Sequence, residues 1–114
     1  MDFPYYHLIV YTPVEAADAV RKALADAGAG KIGAYDSCSF STRGTGRFRP
    51  LEGSDPHVGS QGKLEEVEEE KIAVLVPKEI IGEVVHAVKE VHPYEEPAMH
   101  VLPMMDYNDF VSRT

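Results

Sequence analysis

The sequence predicts an α+β fold, a β-α-β-β-α-β sandwich in which two strand–helix–strand units share one sheet. Three observations carry that expectation. A strand, a proline and an amphipathic helix occur twice in the same order. Each helix gives way to a glycine- or proline-rich turn before the chain becomes extended again. Between the two units lies a long stretch that reads as one extended hairpin.

Taken in order, residues 7–12 (HLIVYT) are mostly apolar and β-branched, which predicts the first strand. Pro13 stops it and suits the first turn of a helix. From Val14 to Ala27, Val14, Ala17, Val20, Leu24 and Ala27 recur at helical spacing, with Glu15, Asp18, Arg21, Lys22 and Asp26 largely off that stripe. Gly28 and Gly30 supply left-handed positions where the helix ends. YDSCSFST, 35–42, predicts the second strand, with an extension through Phe48, and LEEVEEEKIAVLV, 64–76, a long third strand with an acidic first half. The glycines and prolines of 44–63 make a loop arm at the hairpin's end. After Pro77, Lys78–Val91 predicts the second helix on Ile80, Val84, Val88 and Val91, flanked by Ile81 and Val85. Gly82 within it costs ~1 kcal/mol against alanine. HPYEEP breaks that helix, and AMHVLPM, 98–104, predicts the last strand. This order is the ferredoxin-like arrangement, with both helices on one face of the sheet. Ile72, Val74 and Val76 alternate with Ala73 and Leu75, so both sides of the third strand are apolar. A strand of that kind is covered on both faces, which predicts a homo-oligomer.

Composition excludes several classes of function. The 114 residues predict one domain, 1–114, and 44% apolar content suffices for a core. Cys38 is the single cysteine, so an intrachain disulfide and a cysteine-rich zinc site are both impossible. A cytoplasmic protein is expected, with neither a secretory leader nor a run of ~18 apolar residues to enter a membrane. A net charge of -8 repels a phosphate backbone, and the one candidate for a local basic patch, Arg43, Arg47 and Arg49, is weak. No nucleic-acid or membrane partner is expected.

Two motifs hold chemistry. HPYEEPAMH places His92, Glu95, Glu96 and His100 at spacings that permit a divalent metal. The same residues have plain structural uses: Pro93 turns His92 out of the helix, and the glutamates accept backbone hydrogen bonds or face solvent. Arg43, Gly44, Thr45, Gly46 and Arg47 suggest a small anion or ligand cradle. GTG falls far short of a nucleotide fingerprint, however, and a hairpin bulge is the better reading. Cys38 beside Phe40 reads as a small apolar side chain. The acidic run Glu65, Glu66, Glu68, Glu69 and Glu70 reads as a solvated hairpin surface or an oligomer contact.

Several separated segments, in order, closely resemble the inserted domain of the NIF3-like (NGG1-interacting factor 3-like) proteins. They are KALADAGAGKIGAYDSCSFSTRGTGRF, PLEGSDPHVGSQGKLEEVEEEKI and HAVKEVHPYEEPAMHVLP, and the likeness runs from about Leu8 to Pro103. The resemblance implies a free-standing version of that insert, with the architecture of the trimeric PII and CutA proteins, and so a homotrimer rather than a dimer. It also implies that the family's metal ligands lie in the halves that flank the insert. No His–His pair occurs in these 114 residues, so no dinuclear-centre ligand is carried over. What carries over is the Gly28–Gly33 turn, the Gly44–Gly46 hairpin segment and the His92–Glu96 junction. The expected function is a noncatalytic assembly or small-ligand-sensing module, with a small metabolite or a protein as partner. In the sensing reading, the 50–62 arm offers Asp55, His57, Ser60 and nearby Lys63 as contacts. The alternative is a small metal-dependent hydrolase built around HPYEE.

Overall fold

Alternation along the first strand sets the layering. In β1 (Tyr5–Pro13), Leu8, Val10 and Thr12 are fully buried on one side, while His7, Ile9 and Tyr11 point to the other. The computed structural model describes residues 3–111; residues 1–2 and 112–114, at the ends of the expected 1–114 domain, lie outside the described residues.

A short 3₁₀ turn at Val14–Ala16 leads into α1 (Ala17–Asp26), which buries Ala17, Val20 and Leu24. The helix closes on Gly28, whose φ of 102° needs no Cβ, with Gly28 N donating to Ala25 O and Ala29 N to Leu24 O. That pair of bonds is a Schellman ending. β2 (Phe40–Phe48), β3 (Glu65–Pro77), a 3₁₀ turn (Lys78–Ile80), α2 (Ile81–Val91) and β4 (Met99–Met104) complete the fold, with one further 3₁₀ turn at Tyr107–Phe110. The strands lie in the order β2-β3-β1-β4 and every neighbouring pair is antiparallel. This is the expected ferredoxin-like β-α-β-β-α-β topology with an extended β2–β3 hairpin. Leu8, Val10, Ile72, Val74 and Val76 meet Val20, Leu24, Val84 and Val88 between sheet and helices, in one core.

The second strand begins later than its alternation suggests, at Phe40 rather than Tyr35. Residues 30–39 are committed elsewhere. Gly30 N donates to Leu75 O at 2.8 Å and Cys38 N to Gly30 O at 2.9 Å, and Ile32 pairs with Tyr35 across a tight turn. Cys38 is therefore half-buried in this connection, not in a strand.

The bulge expected at Gly44–Gly46 is absent. Residues 43–47 lie inside β2, in unbroken register from Arg43↔Glu70 to Arg47↔Glu66. Gly46 instead leaves room for a neighbour: a Cβ at that position would meet the end of the Glu69 side chain, which lies across the strand and would have to swing aside.

On the face away from the helices, Phe40, Ala73, Ile9 and His100 form one row across all four strands. His7, Leu75 and Leu102 form the next row. Phe40 is 72% exposed and Leu102 49% exposed in the single chain.

Candidate functional site

The junction between α2 and β4 packs against the base of the hairpin arm. α2 ends because His92 takes an extended conformation before Pro93, while its amide still donates to Val88 O at 2.9 Å. The His92 ring is buried at 7% exposure. Its Nε2 lies 2.7 Å from Tyr11 O and its Nδ1 accepts from Tyr94 N at 3.1 Å. Those two partners assign a neutral imidazole with the proton on Nε2. Burial holds its pKa below the ordinary value, against smaller opposing effects of the Tyr11 carbonyl and Glu69.

Tyr94 is the centre of a ring cluster, 5.2 Å from His92, 5.9 Å from Phe48 and 6.1 Å from His57 between centroids. Its hydroxyl is buried and meets no hydrogen-bond partner in good geometry. Burial first, and then the nearby Glu69 carboxylate, hold the phenol well above its usual pKa, so it stays protonated as a potential donor. Around it opens a cavity of about 240 Å³. Tyr11, Phe48, Pro50 and Val58 supply apolar wall, and Glu69, Glu96 and Arg49 supply charge. Two other charged groups at this cavity are already engaged: Glu95 Oε1 accepts from Asp55 N at 2.9 Å, tying the arm to the junction, and Arg47 Nε pairs with Glu66 at 3.3 Å.

The four residues proposed from sequence as metal ligands are dispersed among different tasks. His92 has both ring nitrogens on backbone groups, Glu95 holds the arm and Glu96 lines the cavity. His100 sits on β4 with its ring edge-on to Tyr11 at 5.5 Å. Among the described residues, no group of three or more His, Cys, Asp or Glu is placed to hold a metal ion. Of the proposed 43–47 contacts, Arg47 reaches the cavity; Gly44, Thr45 and Gly46 spend their backbone positions in the β2–β3 ladder. Sequence reasoning missed Tyr11, Phe48 and Glu69. Their one legible signal is the position of Phe48 and Glu69 on facing strands of a single hairpin.

Among solved structures, CutA from Xylella fastidiosa superposes with a TM-score of 0.69 at 14% identity, covering 94% of this chain and 90% of that one. The chain thus has a CutA-like, ferredoxin-like fold. No family model matches it. Sequence likeness points to longer proteins. The chain is 48% identical over 99 residues to the GTP cyclohydrolase 1 type 2 homolog of Halalkalibacterium halodurans, covering 87% of this chain and 27% of that protein. It is 44% identical over 101 residues to the Bacillus subtilis homolog of the same name, covering 89% and 27%. The Bacillus cereus protein related to NIF3 superposes with a TM-score of 0.80 at 43% identity, over 91% of this chain and 26% of that one. The chain therefore matches the NIF3-like, GTP cyclohydrolase 1 type 2 homolog family through a single segment, about a quarter of the length of these relatives. Among the described residues, no helix is long and apolar enough to cross a membrane.

Proposed function

We propose that this chain is a noncatalytic assembly and small-ligand-binding module that works as a homo-oligomer, a trimer rather than a dimer. The observation that carries the reading is the uncovered sheet face. Phe40 and Leu102, both exposed in the single chain, flank Ile9 and Leu75 on the sheet face away from the two helices. Exposed apolar side chains on such a face gain by burial, and a second copy of the chain offers the same face to cover them. The preference for three subunits comes from the PII and CutA resemblance. The cavity beside Tyr94 gives such an assembly a place for a small ligand, and the arm that borders it is tied down by the Glu95–Asp55 contact.

The metal-dependent hydrolase has weaker support, because His92 already spends both nitrogens on Tyr11 and Tyr94. The cyclohydrolase name belongs to proteins of which this chain matches about a quarter, and it supplies no activity here. Native mass spectrometry of protein purified without chelator tests the proposal. A mass three times the 12.6 kDa subunit is expected. A bare monomer at micromolar concentration would sink it.

A further inference from the structure

From the cavity between the junction and the arm, we infer that the module's ligand is an apolar or aromatic α-amino acid, bound as the free zwitterion. This rests on the reading above that the chain binds a small ligand. The size comes first: about 240 Å³ lies just under the ~300 Å³ at which drug-sized pockets begin, so the site suits a small metabolite. The walls come next. Phe48, Tyr94 and Tyr11 present ring surface, with Val58 and Pro50 beside them, and such a lining takes up an apolar side chain.

The charges decide the class. Arg47 is paired with Glu66, and Glu95 is used by the Asp55 amide. That leaves one cation, Arg49, and two carboxylates, Glu96 and Glu69, lining the cavity without an ion-pair partner among the described residues, with Glu69 beside the Tyr94 hydroxyl. Arg49 and Glu96 are both exposed to solvent, so a ligand bearing only an ammonium engages Glu96 alone and one bearing only a carboxylate engages Arg49 alone. A zwitterion answers both, with Arg49 on its carboxylate and Glu96 on its ammonium. The buried Tyr94 hydroxyl, which makes no hydrogen bond of good geometry among the described residues and has Glu69 beside it, adds a donor for the ligand carboxylate.

Isothermal titration of the full chain tests this with L-phenylalanine and L-leucine as probes, set against phenethylamine, which lacks the carboxylate, and 3-phenylpropanoate, which lacks the ammonium. Saturable binding of at least one amino acid is expected, with each singly charged analogue at least tenfold weaker than L-phenylalanine where that binds, or than L-leucine otherwise. Arg49→Gln should erase the preference over phenethylamine, and Glu96→Gln the preference over 3-phenylpropanoate. Tyr94→Phe should weaken amino-acid binding several-fold without lowering the unfolding midpoint. The inference falls if neither amino acid binds, if a singly charged analogue matches them, or if the Arg49→Gln, Glu96→Gln double variant binds as the parent does. Native mass measured on the same sample separates the two proposals: a trimer that ignores both amino acids overturns this inference alone, and a monomer that binds them overturns the assembly alone.

Discussion

His92 Nε2 donates to the carbonyl of Tyr11 at 2.7 Å, joining the end of the second helix to the end of the first strand. The other ring nitrogen accepts from the Tyr94 amide, so one buried imidazole satisfies two backbone groups 83 residues apart in the chain. His92→Ala leaves both groups without a partner. At about 1–3 kcal/mol for each buried group left unmade, urea denaturation should show a loss of about 3 kcal/mol. A loss under about 1 kcal/mol would mean that water replaces the ring.

The same contact makes stability depend on pH. The folded protein holds His92 neutral, with its pKa lowered chiefly by burial, while the unfolded chain titrates near the ordinary 6.5. The unfolded state therefore binds the proton more readily, and acid favours it. Stability from this group is fully present above 6.5 and is lost as pH falls through the lowered folded value. Protonation would also set an N–H on Nδ1 against the Tyr94 N–H. Urea midpoints at pH 7.5 and pH 5.5 should differ more in the parent than in His92→Ala. Equal differences in the two proteins would assign the pH dependence to other groups.

Tyr94→Phe should be stability-neutral, or stabilising by up to about 1 kcal/mol, because it removes a buried hydroxyl that no group among the described residues satisfies in good geometry. Thermal unfolding without added ligand checks this. A clear loss would show that the hydroxyl has a partner in solution, with Glu69 as the nearest candidate.

Glu70 is held on the helix side of the sheet by Arg21 at 2.7 Å, with side chains 10% and 30% exposed respectively. Arg21 also reaches Asp18 and Ser41, which fixes its position. Arg21→Ala leaves a mostly buried carboxylate unpaired and should cost about 2 kcal/mol, whereas Glu70→Gln leaves only a neutral amide and should cost less. Chemical denaturation of both variants decides it; equal costs would refute the asymmetry.

Phe40→Asp with Leu102→Asp should lower the subunit number to one while the circular dichroism spectrum stays unchanged. Both side chains are exposed in the single chain, so charge there burdens the monomer by no more than about 0.5 kcal/mol. Light scattering reads the outcome. An unchanged mass would show that assembly uses a different surface.

Strand and helix identity were legible because they are local properties. Leu8, Val10 and Thr12 alternate, Val20 and Leu24 recur at helical spacing, and Pro13, Gly28 and Pro93 mark where elements turn, all within windows of a few residues. The order of those elements then left one common sheet arrangement, which the strand order confirms. Local reading failed where a residue answered to a distant partner. Tyr35 through Ser39 alternate like a strand, yet Gly30 is drawn to Leu75 and pulls Cys38 with it. GTG reads as a bend, yet Gly46 sits in a straight strand to make room for Glu69.

Periodicities, breaks and hence the topology depend on neighbours along the chain, so they lie in the order of residues. The site does not, because long-range packing assembles it. The register that sets Gly44 and Pro13 on either side of Glu69 brings that carboxylate toward Tyr94. Helix packing then carries His92 to the Tyr11 carbonyl and turns a metal-like motif into a backbone clasp. Tyr11, Phe48, Glu69 and Tyr94 come from four separate stretches, and no local preference encodes their meeting; cross-strand register and burial do.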